Sequence, residues 1–364
     1  MHLEKIYLSN FKNHEEVTFS FSPQVNCIVG DNGSGKTNLL DAIYFLALSK
    51  SALHNQDALC ILHDADYMMI DGLFAKNEKK HQITCSLQRG QRKTLLHDKK
   101  PYERLSEHIG QFPVVLIAPD DTDLITEGSE ERRRFFDGVL AQINSDYLVD
   151  YQQYNRLLDQ RNGILKIFNE QNFVDEDLLD TYSDPLVLLA QKIYDQRYAF
   201  MQKFLPIFRH HYQNISEQRE SVEISYESEL ASATFAKEFR RNRQIDVKAQ
   251  RTTKGIHKDD FVFEIDSYPI KKFGSQGQKK SFVMALRLAQ FDLINELRGV
   301  KPILLLDDIF DKLDDRRIQK LIESIDNHSF GQVFITDARP ERTQKILEHV
   351  VAEVKYFEMK KQNQ

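Results

Sequence analysis

Gly30-Asp31-Asn32-Gly33-Ser34-Gly35-Lys36-Thr37 is a complete G-x-x-x-x-G-K-[ST] phosphate loop. Its flanks agree with that reading. Val25-Asn26-Cys27-Ile28-Val29 before it is a short apolar run of strand type, and Asn38 to Leu46 after it has helical spacing. An ordinary glycine-rich turn would not carry the four fixed positions of this motif between a strand and a helix. In such a loop the glycines let successive N–H groups face phosphates, and the helix start adds its positive end. Lys36 is placed to reach the β- and γ-phosphates, and the Thr37 hydroxyl to meet Mg²⁺.

A second half of the site lies far down the chain. Lys301-Pro302 leads into Ile303-Leu304-Leu305-Leu306 and then Asp307-Asp308. Four apolar residues ending in two carboxylates describe a buried parallel strand that delivers acid to a ligand at its C-terminal end. Asp307 is expected to hold Mg²⁺, directly or through water, and Asp308 to face an attacking water. An acidic turn after a strand is common in itself; beside a phosphate loop it reads as chemistry. A third element is Phe273-Gly274-Ser275-Gln276-Gly277-Gln278, followed by a helical pattern from Lys279 to Gln290. Ser275 there is a helix cap, which alone would be structural; its place just ahead of the carboxylate strand makes it a candidate anion site.

Together these residues resemble the ATP-binding-cassette type of ATPase head, in the branch shared with chromosome-maintenance proteins, and within it the RecF family. The resemblance covers nearly the whole chain. It runs through Leu8-Ser9-Asn10-Phe11-Lys12-Asn13, Gly35 to Ile43, Lys50-Ser51 and Ala118-Pro119-Asp120-Asp121. It continues in Gly128 to Asp137, with its Arg-Arg-x-Phe-x-Asp pattern, in Thr252 to Asp260, and in Leu313-Asp314. There are departures: Lys12 and Lys258 replace arginines, Ile256 replaces a proline, and Leu53 aligns with an arginine. Lysine keeps the charge of arginine but loses its planar fork. Val333-Phe334-Ile335-Thr336-Asp337 reads as the strand before a switch histidine, but no histidine follows, and Thr336 is the best stand-in. Near the strand that should carry a Mg²⁺-sensing glutamine, Gln111 is the candidate.

The resemblance implies an α/β fold, an ABC-type phosphate-loop ATPase head with mixed sheets and an inserted helical arm lobe. It implies ATP and Mg²⁺ as ligands, held by Lys12, Gly30, Asp31, Asn32, Gly33, Ser34, Gly35, Lys36, Thr37 and Asn38 of one subunit. Ser275, Gly277 and Gln278 of a second copy would close over the nucleotide, so that ATP joins a homodimer. Thr37 and Asp307 would hold the metal, with Lys36 and Asp308 catalytic. Asp308 is one methylene shorter than the glutamate of transporter cassettes, so turnover is expected to be slow. The implied role is ATP-gated binding to gapped DNA and single-strand/double-strand junctions in recombinational repair, assisting RecA loading with RecO and RecR partners.

Composition sets bounds on that reading. The 364 residues suffice for two or three cooperating domains, and 41% hydrophobic with 29% charged residues is ordinary for a soluble globular protein. No apolar stretch reaches the ~20 residues of a membrane span, and the N-terminus has no signal-peptide character; a cytoplasmic location is expected. Cys27, Cys60 and Cys85 lack metal-ligand spacing and read as buried or neutral thiols. A net charge of −6 argues against indiscriminate nucleic-acid binding, so DNA contact must come from local patches. Candidates are Arg240, Arg241 and Arg243 on a helix and Lys279 and Lys280 after the signature residues, with Lys99-Lys100 and Lys271-Lys272 as further runs. Arg132 and Arg133 are expected in internal pairs with nearby acids.

Strand patterns dominate the first ~120 residues. Long helical patterns follow, Leu140 to Phe168 and Pro185 to Tyr212, with acidic residues 175–184 as the tip between them. Heptads are not sustained long enough for a coiled-coil rod. Val222 to Tyr226 reads as a strand, Ala231 to Asn242 as a helix, and Phe261 to Ile265 as a strand rejoining the head. The domains expected are a discontinuous head, 1–125 with 255–364, and an inserted lobe, 126–254. Two other classes fit parts of the sequence: the energising subunit of a membrane transporter, and a nucleotide-gated structural head without DNA contact. The helical arm and the missing histidine oppose the first. The acidic net charge keeps the second open.

Overall fold

The structure, a computed structural model, describes residues 1–216, 220–311, 318, 323, 329–348 and 350–360. Leu313 and Asp314, singled out by resemblance, lie outside the described residues. The chain packs as two compact units: Met1–Asp121 with Leu286–Gln364, and Thr122–Ala285. Its strands are β1 (His2–Phe11), β2 (His14–Ser20), β3 (Val25–Val29), β4 (Tyr67–Lys76), β5 (Lys79–Gln88), β6 (Thr94–His97) and β7 (Lys100–Pro101). They continue as β8 (Val114–Ile117), β9 (Val222–Glu227), β10 (Asp260–Ile265), β11 (Tyr268–Pro269), β12 (Ile303–Leu306), β13 (Val333–Asp337) and β14 (Val354–Glu358).

The first unit holds two sheets. One is antiparallel, in the order β2-β1-β4-β5-β6-β7; the other is parallel, in the order β14-β3-β13-β12-β8. The strands β3, β8, β12 and β13 are buried along their whole length, which is why they read as unbroken apolar runs rather than alternating ones. Helix Lys36–Leu48 packs into the core shared by the two sheets, with Leu39, Leu40, Ala42, Ile43, Phe45 and Leu46 buried. A helix apolar on nearly every side is what a position covered on both faces requires. Gly72 of β4 permits the close approach: a Cβ there would stand 2.2 Å from Leu46 Cδ2.

In the second unit helix Ser129–Ile143 ends at Asn144, and a new helix, Ser145–Gln171, begins. Asn144 has an extended backbone and its side-chain oxygen accepts from the N–H groups of Asp146 and Tyr147 at 3.0 and 3.2 Å. The single run expected from Leu140 to Phe168 is therefore divided by an N-cap. The return helix is Glu176–Ser216, nine residues earlier at its start than expected. Asp175 accepts from the Leu178 N–H at 2.9 Å, so the acidic run caps and opens this helix instead of forming the tip. Pro185 and Pro206 lie inside it. The expected helix 231–242 resolves into Phe235–Arg241 followed by Arg243–Ala249.

β10 also departs from expectation. It pairs antiparallel with β9 and β11 in a three-stranded sheet of the second unit, rather than rejoining the first. Residues 255–285 accordingly pack with the helical unit, and the chain crosses back at Leu286.

That unit is held by buried arginines. Arg161, fully buried, donates to Asp246 at 2.9 Å, Thr252 at 2.7 Å and Ser183 at 3.0 Å. Arg197 bonds both carboxylate oxygens of Asp137, Asp259 Oδ2 and the Ile256 carbonyl, all at 2.9–3.0 Å. The Thr252–Asp260 motif is thus largely consumed by internal bonds, His257 included, whose Nδ1 lies 2.7 Å from the Tyr154 hydroxyl. Removing one partner of such a buried pair costs about 3–5 kcal/mol, because a charge is left uncompensated. Arg132 forks onto Asp260 at 2.8 and 2.9 Å, the acid pair expected of it, whereas Arg133 reaches the Ser129 hydroxyl and the Asp259 backbone carbonyl rather than an acid.

Candidate functional site

The phosphate loop leaves the C-terminal end of β3, where parallel sheets present ligands. Three neighbouring strands converge there, in the order β3-β13-β12. Gly30 has φ 152° and a virtual Cβ 2.2 Å from the Met359 carbonyl; Gly35 has φ 97° and a virtual Cβ 2.5 Å from the Asn13 side chain. No other residue type fits either place. Lys36 is nearly buried at the helix start, and its Nζ donates to the carbonyls of Gly30 at 2.8 Å and Asp31 at 3.0 Å. The ammonium therefore lies inside the curl of the loop. Ser34 Oγ is buried there without a hydrogen-bond partner among the described residues.

Thr37 Oγ1 donates to the Asp307 carboxylate, 3.0 Å from Oδ1 and 3.1 Å from Oδ2. Thr336, fully buried on the strand between, donates to Asp307 Oδ1 at 2.7 Å and accepts from the Asp308 N–H at 2.9 Å. One hydroxyl thus orients both acids. Asp308 has φ 42°, a left-handed conformation that aspartate tolerates better than most residues. Burial pushes the Asp307 carboxyl up from its ordinary value, against the hydrogen bonds of Thr336 and Thr37 and the charge of Lys36, which favour the ionised form.

These donors suit the ligands the sequence implies. Mg²⁺ takes oxygen ligands at ~2.1 Å in an octahedron, whose edge is ~3.0 Å. The Thr37–Asp307 oxygen separation matches that edge. The unpartnered Ser34 hydroxyl and the lysine inside the loop suit an anion.

A supporting layer was not legible as such in the sequence. Asp41 is buried and accepts from Ser51 Oγ at 2.7 Å and the Ala52 N–H at 2.6 Å, and it pairs with Lys12 Nζ at 2.6 Å. Lys12, expected at the nucleotide, is found in this ion pair. Asn38 donates to Asn13 Oδ1 at 2.6 Å, which ties the β1–β2 turn to the loop. Gln111 stands before the start of β8, at the sheet end opposite Asp307, with its amide near the Glu107 carbonyl. It does not reach the site as a metal sensor would. The turn after β8 instead carries Asp121, bonded to Arg287.

Ser275, Gly277 and Gln278 belong to the second unit, at the start of helix Gln276–Arg298. Ser275 Oγ accepts from the Gln278 N–H at 3.2 Å while Gln278 Oε1 accepts from the Ser275 N–H at 2.6 Å, a reciprocal capping box. Gln278 Nε2 also donates to Glu220 at 2.8 Å, so its side chain is spent on the cap. Ser275 itself is exposed. Of the cationic candidates, Arg240 pairs with Asp184, and Arg243 with Glu176 and Asp180. Arg241 is exposed, and Lys279 Nζ donates to the Lys271 carbonyl at 3.0 Å. Burial pushes the three thiols up, to about 12 for Cys27 and Cys85 and about 11 for Cys60, so they are neutral as expected.

Fold and site together define a phosphate-loop ATPase head of the class shared by RecF and the chromosome-maintenance proteins. The sequence profile of the RecF/RecN/SMC N terminal domain matches residues 2–362. The chain is 46% identical over 359 residues to the DNA replication and repair protein RecF of Flavobacterium johnsoniae, covering 99% of this chain and 100% of that one. It is 40% identical to the RecF of Phocaeicola vulgatus, covering 98% and 96%. Among solved structures it superposes on the recombination mediator protein RecF of the RecFOR pathway with ATPrS, at a TM-score of 0.88, 27% identity and 99% and 96% coverage. The same mediator with ATP gives 0.85, 29% identity and 93% and 92% coverage. An Smc head bound to the C-winged helix domain of ScpA shares the fold, at 0.56 and 16% identity over 99% and 95%. The chain belongs to the RecF family.

Proposed function

We propose that this chain is a slow, Mg²⁺-dependent ATPase that binds DNA in an ATP-gated manner during recombinational repair. The observation that carries the reading is the convergence of Lys36, Thr37, Asp307 and Thr336 at the ends of three adjacent parallel strands. Family membership supports the biological role, since the relatives are DNA replication and repair proteins and the solved mediator holds ATP.

Phosphoryl transfer needs positioning and charge neutralisation more than covalent help. Lys36 moves from two carbonyls to the terminal phosphates, and the loop N–H groups cradle the remainder. Thr37 and Asp307 would hold Mg²⁺, which would supply neutralisation of the phosphate charge. Thr336 keeps Asp307 aimed at that position and fixes the backbone from which Asp308 orients the attacking water. Ser275 and the Gly277 amide of a second copy close the far side of the nucleotide. ATP thereby acts as an intersubunit adhesive, and its hydrolysis loosens the pair. The dimer engages gapped DNA and assists the mediator partners RecO and RecR in loading RecA.

No helix among the described residues is long and apolar enough to cross a membrane. The test is binding to junction DNA with and without ATP, for wild type and Lys36→Met. ATP is expected to raise wild-type affinity at least about tenfold and to leave the variant unchanged. A steep loss of affinity with salt should accompany binding, because phosphate contacts release counterions. Equal binding in all four conditions would defeat the gating claim.

A further inference from the structure

In the first unit, away from the phosphate loop, two histidines and an aspartate converge at one end of the antiparallel sheet. His81 is the third residue of β5, His97 closes β6, and Asp98 begins the turn into β7. Register brings them together: Ile83 of β5 lies opposite His97, so His81 is the diagonal neighbour on the same face. His81 Nδ1 lies 2.9 Å from His97 Nε2, His97 Nε2 3.4 Å from Asp98 Oδ2, and His81 Nδ1 3.9 Å from the same oxygen. We propose that these three atoms form a zinc-binding site, with a fourth position open to solvent.

The triangle has the right size. Zinc bound tetrahedrally at ~2.0–2.1 Å separates its ligand atoms by ~3.3–3.4 Å, and the three observed edges scatter around that length. Ligand type points the same way, because imidazole nitrogen selects zinc and its first-row neighbours over Mg²⁺ or Ca²⁺. The ligands are also supported. Asp98 Oδ1 accepts from the Gln82 N–H at 2.8 Å, which leaves Oδ2 for the cluster. Its left-handed φ of 49° is fixed by the turn, whose Asp98 N–H donates to the Gln82 carbonyl. His97 stacks on Tyr102 at a centroid distance of 5.8 Å, and buried Phe112 stands edge-on to both imidazoles. Both rings are thereby oriented before any ion arrives, as ligand sets require. Without metal, one imidazole N–H must be spent on the other ring; with zinc, both lone pairs have a partner.

Charge sets the fourth ligand. Lys79 and Lys80 precede His81 in the chain, Lys99 and Lys100 follow Asp98, and Lys80 is paired with Glu4. This local excess of positive charge favours an anionic fourth ligand, hydroxide or chloride. The bound ion would join β5 to β6 and the following turn, stapling the end of the sheet. The site does not depend on nucleotide or on the repair reading.

The experiment is zinc titration of the untagged full chain without nucleotide, read by metal content after gel filtration and by the thermal midpoint. Cobalt substitution adds a visible signature of four-coordinate geometry. Wild type should retain one zinc per chain and melt higher with it. His97→Ala and His81→Ala should lose the retained ion. Asp98→Asn keeps the Gln82 bond and tolerates the left-handed turn, so it folds as wild type does while its zinc affinity falls at least about tenfold. A wild type that retains no zinc, or that retains as much as the His97→Ala variant, would overturn the proposal.

Discussion

Asp307 is the residue on which the site turns. Its burial raises the carboxyl pKa, so the folded state binds a proton more readily than the unfolded chain does. Stability contributed at this position therefore falls as pH rises from the unfolded value through the raised folded one, and at neutral pH the ionised group is a cost. Asp307→Asn should accordingly melt higher than wild type in the absence of ligand. The same variant should bind Mg-nucleotide more than about tenfold more weakly, the loss that even outer partners of a metal cause. Differential scanning calorimetry with and without Mg-nucleotide reads both effects; a variant that melts lower without ligand would contradict the assigned cause. For the same reason, wild-type Mg²⁺ affinity should begin to weaken at a higher pH than an ordinary carboxylate would allow. Thr336 was legible as a stand-in only because no histidine follows β13. Its hold on Asp307 depends on the strand order β3-β13-β12, which no local pattern encodes. Lys12 and Asp41 show the opposite limit: a lysine in a motif and an aspartate on a helix reveal their ion pair only when a turn and a helix meet.

At the scale of elements, what could be read locally was read well. The runs Val25–Val29, Ile303–Leu306 and Val333–Asp337 are strands with those bounds. All three are central parallel strands whose signal is their own apolarity. The helices were harder to divide, since Asn144 and Asp175 act as caps inside runs that periodicity alone would extend. β10 is the strand its pattern indicates, but the sheet it joins is not legible locally, because its partner β9 lies over thirty residues away and pairing register is a tertiary fact. Gly72 gives an element-scale prediction. Alanine there drives a methyl into Leu46 on the phosphate-loop helix, and overpacking of this kind costs about 1–3 kcal/mol. Gly72→Ala should lower the unfolding free energy by that amount, read as a lower urea midpoint at unchanged slope. An unchanged midpoint would mean that helix and sheet separate easily.

Across the whole molecule, two histidines make stability depend on pH. Burial pushes His108 and His257 down to about 4, one in each unit. A depressed histidine contributes stability that is full above the unfolded value near 6.5 and is lost as pH falls toward 4. Between pH 7 and pH 5 each should cost about 2 kcal/mol. Urea melts at the two pH values should show that drop, smaller by about 2 kcal/mol when His257 is replaced by Gln. An equal drop in the variant would contradict the assignment. The buried arginines of the second unit belong to this scale too, because their sequence positions look like surface charge until the helices enclose them.

The central claim is that a nucleotide held at Gly30–Thr37 of one copy is closed by the capped helix start at Ser275 of another. Ser275 is exposed and its capping box is local, so Ser275→Arg leaves each copy able to fold and to bind ATP. Sedimentation with a slowly hydrolysed ATP analogue tests the claim most directly. Wild type should be dimeric with the analogue and monomeric with ADP, while Ser275→Arg stays monomeric in both. A variant that dimerises as wild type does would contradict the account.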